Sequence, residues 1–343
     1  LYDLVKDVLK DMPTVKTLIW SNQGAGKPAV DNRFRDFDAW IKAYPDTEPD
    51  TVLRIEDPVQ MTYTSGTEAL PKGVIINNQA LMAQYMGAII DGGYSDDDIQ
   101  VNALPIYHCA QRDVFLNPLF WLGGTNILIA PDIGQILRSI EEYRATIFFA
   151  PPTVWIGMLR HPDFDKRDIK SLKKCYYGAS IMPVEILKEM LLRLPGAQIY
   201  NYYGQTELAP YHTILKAKDA LKKLGSAGMG GLNMETRLED DNYVPISQPG
   251  IPGEICATGP HATMLYFTDP EKTQLALQGG WFHSGDIGIM DNDRYIEVAD
   301  RKKDMVKTGG ENVATREVEE GIYRDSRVQE VAVIGVPHPK WVE

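Results

Sequence analysis

Over roughly the first two hundred residues, short apolar runs alternate with stretches of helical periodicity. VKTLIW (15–20), VQMTY (59–63), VNALPIY (101–107), TNILIA (125–130), TIFFAP (146–151) and AQIYNYY (197–203) are rich in β-branched and aromatic residues and bounded by turn residues, which predicts strands. Between them ALMAQYMGAII (80–90), IGQILRSIEEY (133–143) and PVEILKEMLLRL (183–194) predict helices. Pro183 sits in the first turn of the last helix and Pro195-Gly196 lies beyond its end, both boundary signals. Strand–helix alternation of this kind predicts an α/β fold of layered sheets, with a buried and mostly parallel sheet.

After about Gly225 the texture changes. Gly and Pro become frequent in GSAGMGG (225–231) and SQPGIPGE (247–254), and IGIM-DND-RYIEV (287–298) predicts a hairpin with a polar turn. From Lys302 a Gly309-Gly310 turn, a helix begun by Thr315 (TREVEEGIY) and a strand VQEVAVIGV (328–336) predict the start of another α+β unit. The expected domains are therefore an α/β part over 1–224, a β-rich subdomain over 225–302 and the beginning of a small C-terminal α+β domain over 303–343.

Composition narrows the function. The 343 residues are 44% hydrophobic and 24% charged, a globular balance. A net charge of −12 argues against a broad nucleic-acid surface, so an anionic ligand must be held by a few local cations and backbone N–H groups. Cys109, Cys175 and Cys256 are far apart and in no metal spacing, which reads as reduced thiols in a cytoplasmic protein. The longest apolar stretch, near Leu119–Ala130, is broken by Gly123, Gly124 and Asn126 and is too short to span a bilayer. LYDLVKDVLKDMPTV carries acids and no small-residue cleavage site, so it does not read as a signal peptide.

The first candidate chemistry is YTSGTEALPKGV (63–74). It has the small residues and Lys72 of a phosphate loop, but in a Walker A loop the lysine opens a helix. Here Val74-Ile75-Ile76 has strand character, and the next helix waits for Asn77-Asn78, good capping residues. The loop therefore joins strand to strand. The Thr64, Ser65 and Thr67 hydroxyls, Gly66 for close approach and Lys72 as a point charge still suit a phosphate; so does a plain surface turn.

YTSGT…PKG is very similar to the signature loop of the adenylate-forming, AMP-binding superfamily, except that Glu68-Ala69 stand where Thr-Gly is common. YYGASIMP (176–183), NYYGQTE (201–207), FHSGD (282–286) and DRKKDMVKTGGEN (300–312) resemble its later motifs, in order. In texture the chain is most like bacterial fatty-acid CoA ligases, shortened at both ends.

The resemblance implies that ATP and Mg²⁺ activate a carboxylic acid, here a fatty acid, as an acyl-adenylate, which CoA then captures. A carboxylate is already ionised at neutral pH, so no general base is required. Thr64, Ser65, Gly66, Thr67 and Lys72 would serve the phosphates, and Gly178, Ala179 and Ser180 the adenine. Tyr203, Gly204 and Thr206 would contact nucleotide, while Glu207, with Thr67, would hold Mg²⁺. Asp286 and Arg301 would take the ribose, and His108 and Arg112 would lie by the acid. Arg112 has three readings: reaching the surface, pairing with Asp113, or meeting a polar substrate end. Lys303 would be the hinge of the C-terminal domain, with Gly309-Gly310 and Lys307 near the pantetheine channel. The basic run KRDIKSLKK (166–174) reads either as a CoA-phosphate patch or as a solvated face. The family's C-terminal lysine is not in this sequence, so the resemblance equally admits an AMP-binding module without turnover. Aryl acids, a homodimer and weak peripheral membrane contact stay open.

Overall fold

The computed structural model describes residues 7–21, 33–64, 71–262, 264–302, 305–308, 311–323 and, beyond these, 325, 327, 328, 331–336 and 338. Ser65, Gly66, Thr67, Glu68, Lys303 and Gly309-Gly310 lie outside the described residues, as does the side chain of Lys307.

Internal contacts divide the chain into two compact units, Leu1–Leu53 and Arg54–Glu343. In the first, the strands Leu18–Trp20 and Phe34–Asp36 pair in parallel, and Asp36 caps the short helix Phe37–Ile41 by accepting from the Ala39 N–H at 3.0 Å. The predicted VKTLIW strand is realised in its second half.

The second unit is built round a seven-stranded sheet in the order Met229–Gly230, Tyr211–Leu215, Gln198–Gly204, Lys174–Gly178, Ile147–Ala150, Ile99–Asn102, Thr125–Leu128. The last five of these strands run parallel, and Tyr211–Leu215 pairs antiparallel with both of its neighbours. Alternation along the strands explains the two cores. Val101, Phe148, Ala150, Cys175, Tyr177 and Ile199 face the helices Ile133–Glu142, Pro152–Arg160 and Val184–Arg193. Their neighbours Ile147, Phe149, Tyr176, Tyr200 and Tyr202 turn to the opposite face and pack with Ala88, Val114 and Phe115. Both faces are covered, as a parallel sheet requires. Trp155 is the largest wholly buried side chain, and its indole N–H donates to the Tyr176 carbonyl at 3.0 Å.

Asn77 caps the helix Asn78–Gly92 by accepting from the Ala80 N–H at 2.8 Å. Lys72–Asn77 is a strand, paired antiparallel with Pro58–Thr64, so the loop between them does join strand to strand. Leu265–Tyr266 completes a three-stranded sheet. A five-stranded antiparallel sheet follows, in the order Pro245–Ile246, Glu235–Glu239, Pro252–Thr258, Phe282–Met290, Ile296–Arg301; its last pair is the predicted hairpin. Val74, Ile76, Leu208, Met234, Ala257 and Phe282 form the core where the three sheets meet.

Two expectations change. VNALPIY is extended only to Asn102, because Pro105 starts a turn closed by the His108 N–H on its carbonyl at 3.1 Å. A π-helical segment, Ala110–Leu116, then leads into the helix Asn117–Leu122. The helix Thr315–Tyr323 forms as predicted, but residues 328 and 331–336 of VQEVAVIGV are not a strand. A strand needs a ladder partner, and none stands beside them among the described residues. Among the described residues no helix is long and apolar enough to cross a membrane.

Candidate functional site

A cavity of about 970 Å³ opens at the carboxyl ends of the parallel strands Lys174–Gly178 and Gln198–Gly204. Open α/β sheets characteristically receive ligands at such an edge. Two glycines make the edge possible. A Cβ on Gly178 would stand 2.3 Å from the Tyr202 carbonyl oxygen, and one on Gly204 would stand 1.8 Å from that of Pro210. Beyond Gly178, Ala179 lies in the cavity wall at φ 65°, a left-handed conformation that costs a non-glycine residue energy and here turns the chain along the rim. Ser180 is exposed and does not line the cavity.

One wall is organised by Asp286, which is 6% exposed. Its Oδ2 accepts from the Tyr203 hydroxyl at 2.7 Å and from Gln205 Nε2 at 2.8 Å, and Gln205 also reaches the Ser284 carbonyl at 2.9 Å. Oδ1 lies 3.7 Å from Arg301 Nε, the residue paired with it across the antiparallel ladder, whose side chain is largely exposed. Burial raises the Asp286 pKa above the ordinary carboxyl value, while Tyr203, Gln205 and Arg301 oppose the shift. Asp286 and Arg301 thus meet from opposite sides of one cleft wall. Gln205, inside the quoted NYYGQTE, is a partner the sequence reading passed over.

On a second wall, Glu207 Oε1 accepts from the Tyr266 hydroxyl at 2.9 Å, and the Lys72 ammonium stands 5.5 Å from the centre of that ring. Thr64 and Thr206 line the same space, with the Thr206 hydroxyl 3.2 Å from Cys109 Sγ. Tyr266 had no signal in the motifs, since only the pairing of Leu265–Tyr266 with Lys72–Asn77 brings it here.

The third wall is apolar. Val114, Phe115, Phe149, Tyr202 and Tyr211 line it. Phe115 stacks on Phe149 at 4.0 Å, and Tyr202 meets Phe115 and Tyr211 edge-on. The tyrosine hydroxyls are used elsewhere. Tyr202 donates to the Ala88 carbonyl at 3.1 Å and Tyr211 to Asp91 at 2.5 Å, while behind them Tyr94 donates to the Val114 carbonyl at 3.0 Å and Tyr176 to that of Gly92 at 2.7 Å.

His108 stands at the mouth of this wall, where partial desolvation and then the positive Arg112 lower its pKa, which favours the neutral ring. Arg112 itself does not line the cavity. It holds Asp113 through Nε at 2.9 Å and Nη2 at 3.0 Å, and it donates to the Thr62 hydroxyl at 3.2 Å. Asp113, fully buried, also accepts from Gln60 at 2.9 Å. Of the basic run, Arg167 pairs with Glu141 at 2.8 Å and Lys174 with Asp98 at 2.6 Å, away from the cavity.

The sequence matches the family described as "AMP-binding enzyme" over residues 3–267. It is 34% identical over 304 residues to a feruloyl-CoA synthase of an Amycolatopsis species, covering 88% of this chain and 61% of that protein. It is 35% identical over 300 residues to a medium/long-chain-fatty-acid–CoA ligase of Mycobacterium tuberculosis, covering 87% of this chain and 51% of that one. Among solved structures it resembles the o-succinylbenzoate CoA synthetase of Bacillus subtilis in complex with ATP and magnesium ion, with a TM-score of 0.80 and 27% identity over 90% of this chain and 64% of that one. The chain thus spans between half and two thirds of the length of these relatives.

Proposed function

The chain belongs to the AMP-binding enzyme family, and on that premise we propose that it supplies the nucleotide site of an AMP-forming acid–CoA ligase acting on a carboxylic acid with a compact apolar body. The observation that carries this reading is one cavity with three chemically distinct walls: an acid–base pair, an oxygen-rich side and an aromatic end.

In the proposed reaction a carboxylate oxygen attacks the α-phosphorus of ATP and pyrophosphate leaves. The sulfur of CoA then attacks the acyl carbon, and AMP leaves with the C–O bond electrons. Asp286, oriented by Tyr203 and Gln205, accepts from the ribose hydroxyls, with Arg301 across from it. Gly178 and Gly204 allow backbone approach to the base and α-phosphate, next to Ala179 and Thr206. Lys72 and Thr64 face the phosphates. Glu207 fits Mg²⁺: it is a hard oxygen donor fixed by the Tyr266 hydroxyl, and Mg²⁺ takes few protein ligands and keeps phosphate oxygens and waters. Bound with ATP, the ion would neutralise phosphate charge. The chain's own contribution is positioning and charge complementarity in a partly dry cleft. Lys303, Lys307 and Gly309-Gly310 keep their proposed roles in the hinge and the CoA channel.

The aromatic end favours an aryl or medium-length acyl body over an extended one, since the rings facing the cavity are buried and the Tyr202 and Tyr211 hydroxyls are held from behind. The similarity to a feruloyl-CoA synthase supports the aryl choice. The equal similarity to a medium/long-chain-fatty-acid–CoA ligase supports the second reading, a fatty acid.

The test is ATP–pyrophosphate exchange with a panel of aryl, medium-chain and long-chain acids, run on this chain and on one extended through the family's C-terminal lysine. Acid-dependent exchange lost in Glu207→Ala supports adenylation, and the responsive acids choose between the readings. Absence of both exchange and AMP binding by calorimetry refutes the proposal.

A further inference from the structure

The five-stranded sheet carries a cluster of donor groups that the nucleotide site leaves unused. Glu239 and Glu254 stand directly opposite each other on neighbouring strands, an arrangement in which like charges repel. Two residues further along, Cys256 lies opposite His283. Among the described residues, Glu239, Cys256 and His283 each bring a ligand atom within 4.8 Å of the others. Cys256 is wholly buried and Glu239 is 2% exposed.

The imidazole is already oriented. His283 Nε2 lies 3.2 Å from the Gln278 carbonyl, and an N–H donated there leaves the Nδ1 lone pair directed at Cys256 Sγ, 3.4 Å away. Metal-binding histidines are usually fixed in this way by their second nitrogen. Glu254 Oε2 lies 3.9 Å from the same Nδ1. Arg237 Nε donates to Glu239 Oε1 at 2.6 Å, whereas Oε2 is the oxygen on the imidazole side, 4.0 Å from Nε2.

We propose that Cys256, His283 and Glu239, with Glu254 alongside, form a site for a thiophilic divalent cation of the Zn²⁺ class. Thiolate, imidazole and carboxylate together are a zinc donor set, unlike the oxygen shell of the Mg²⁺ that travels with ATP. On binding, the Cys256 S–H bond breaks, an S–metal bond forms and the proton passes to solvent. The ion reaches the cluster through the cavity, which His283 and Glu254 both line. Glu254 Oε1 also accepts from the Gly285 N–H at 2.9 Å, so the site is tied to the turn that presents Asp286.

The experiment is titration of the purified chain with Co²⁺, followed by competition with Zn²⁺. One equivalent should bind and give a near-ultraviolet thiolate-to-cobalt charge-transfer band with tetrahedral d–d bands. Cys256→Ser should remove the charge-transfer band and Cys109→Ser should keep it. Glu239→Gln, which preserves volume, should weaken Zn²⁺ by at least about 10-fold, since loss of outer partners alone costs metal sites about 10–100-fold. No band at saturating Co²⁺, a band that survives Cys256→Ser, or Zn²⁺ affinity unchanged in Glu239→Gln would each overturn the proposal. The last leaves Glu239 balanced by Arg237 and Glu254 by the Lys302 ammonium, 3.3 Å from its Oε2. If Cys256→Ser does not fold, Glu239→Gln and His283→Gln give the same decision.

Discussion

His212 makes the larger unit acid-labile by a calculable amount. It is wholly buried on the strand Tyr211–Leu215, beside the Gly204 turn of the cavity edge. Nε2 is 2.9 Å from the Thr236 hydroxyl, while Nδ1 is buried with no hydrogen-bond partner among the described residues. A proton on Nδ1 would create a buried, unpaired N–H and a buried charge, so desolvation, and then nearby His261, lower the His212 pKa from 6.5 to about 3. The unfolded chain takes up this proton below 6.5 and the folded chain does not. Stability is therefore full above 6.5 and declines as pH falls toward 3. At about 1.36 kcal/mol per unit, the loss from this residue reaches roughly 2 kcal/mol at pH 5. His212→Gln places an amide nitrogen near the Nε2 position, keeps the Thr236 partner and cannot titrate. Urea unfolding followed by far-ultraviolet circular dichroism at pH 7.5 and 5.0 gives the comparison. Every other group titrates in both proteins, so the wild type should lose about 2 kcal/mol more than the variant over that interval. Parallel losses, within about 0.5 kcal/mol, would refute the claim that His212 is held neutral.

Other outcomes follow from the same geometry. Asp286→Asn should weaken AMP by about 10-fold or more in calorimetry, because a charge-assisted acceptor contributes roughly 1.5–3 kcal/mol. Tyr203→Phe should cost less, since Gln205 still orients the carboxylate. Because burial raises the Asp286 pKa, AMP affinity should begin to fall at a higher pH than an ordinary carboxyl would allow. Gly204→Ala should destabilise the chain by roughly 3 kcal/mol or more, as its Cβ would meet backbone oxygen; an unchanged melting temperature would contradict the approach distance. Trp155→Ala should cost about 3–5 kcal/mol and leave AMP affinity intact, because the indole packs on the sheet face away from the cavity.

Local signals carried far in this chain. Asn77, Pro183 and the polar DND turn each mark a boundary that the fold keeps, because capping and turn chemistry act within a few residues. Asp286, Arg301 and Tyr203 were named from short motifs and lie together in one wall. What stayed hidden is tertiary. Lys174–Gly178 (KCYYG), buried at the sheet centre on both faces, is too short and too evenly buried to show alternation. Asp113 finds Gln60 from 53 residues away, a partner no local pattern announces, whereas its pairing with Arg112 is among the readings the sequence offers. Tyr266 reaches Glu207 only through strand pairing, which no periodicity in its own segment announces.

The aromatic end of the cavity has a further consequence. Tyr94, Tyr176, Tyr202 and Tyr211 are each held at the ring by an edge-on aromatic neighbour and at the hydroxyl by a backbone carbonyl or Asp91. A ring fastened at both ends cannot swing aside for a longer guest, so the wall acts as a fixed ruler rather than a flexible sleeve. Under the proposed function, selectivity for the acid is then a matter of where the ruler stops. It should shift in steps, one ring-to-smaller substitution at a time, while the nucleotide half of the cleft keeps the same dimensions for every guest.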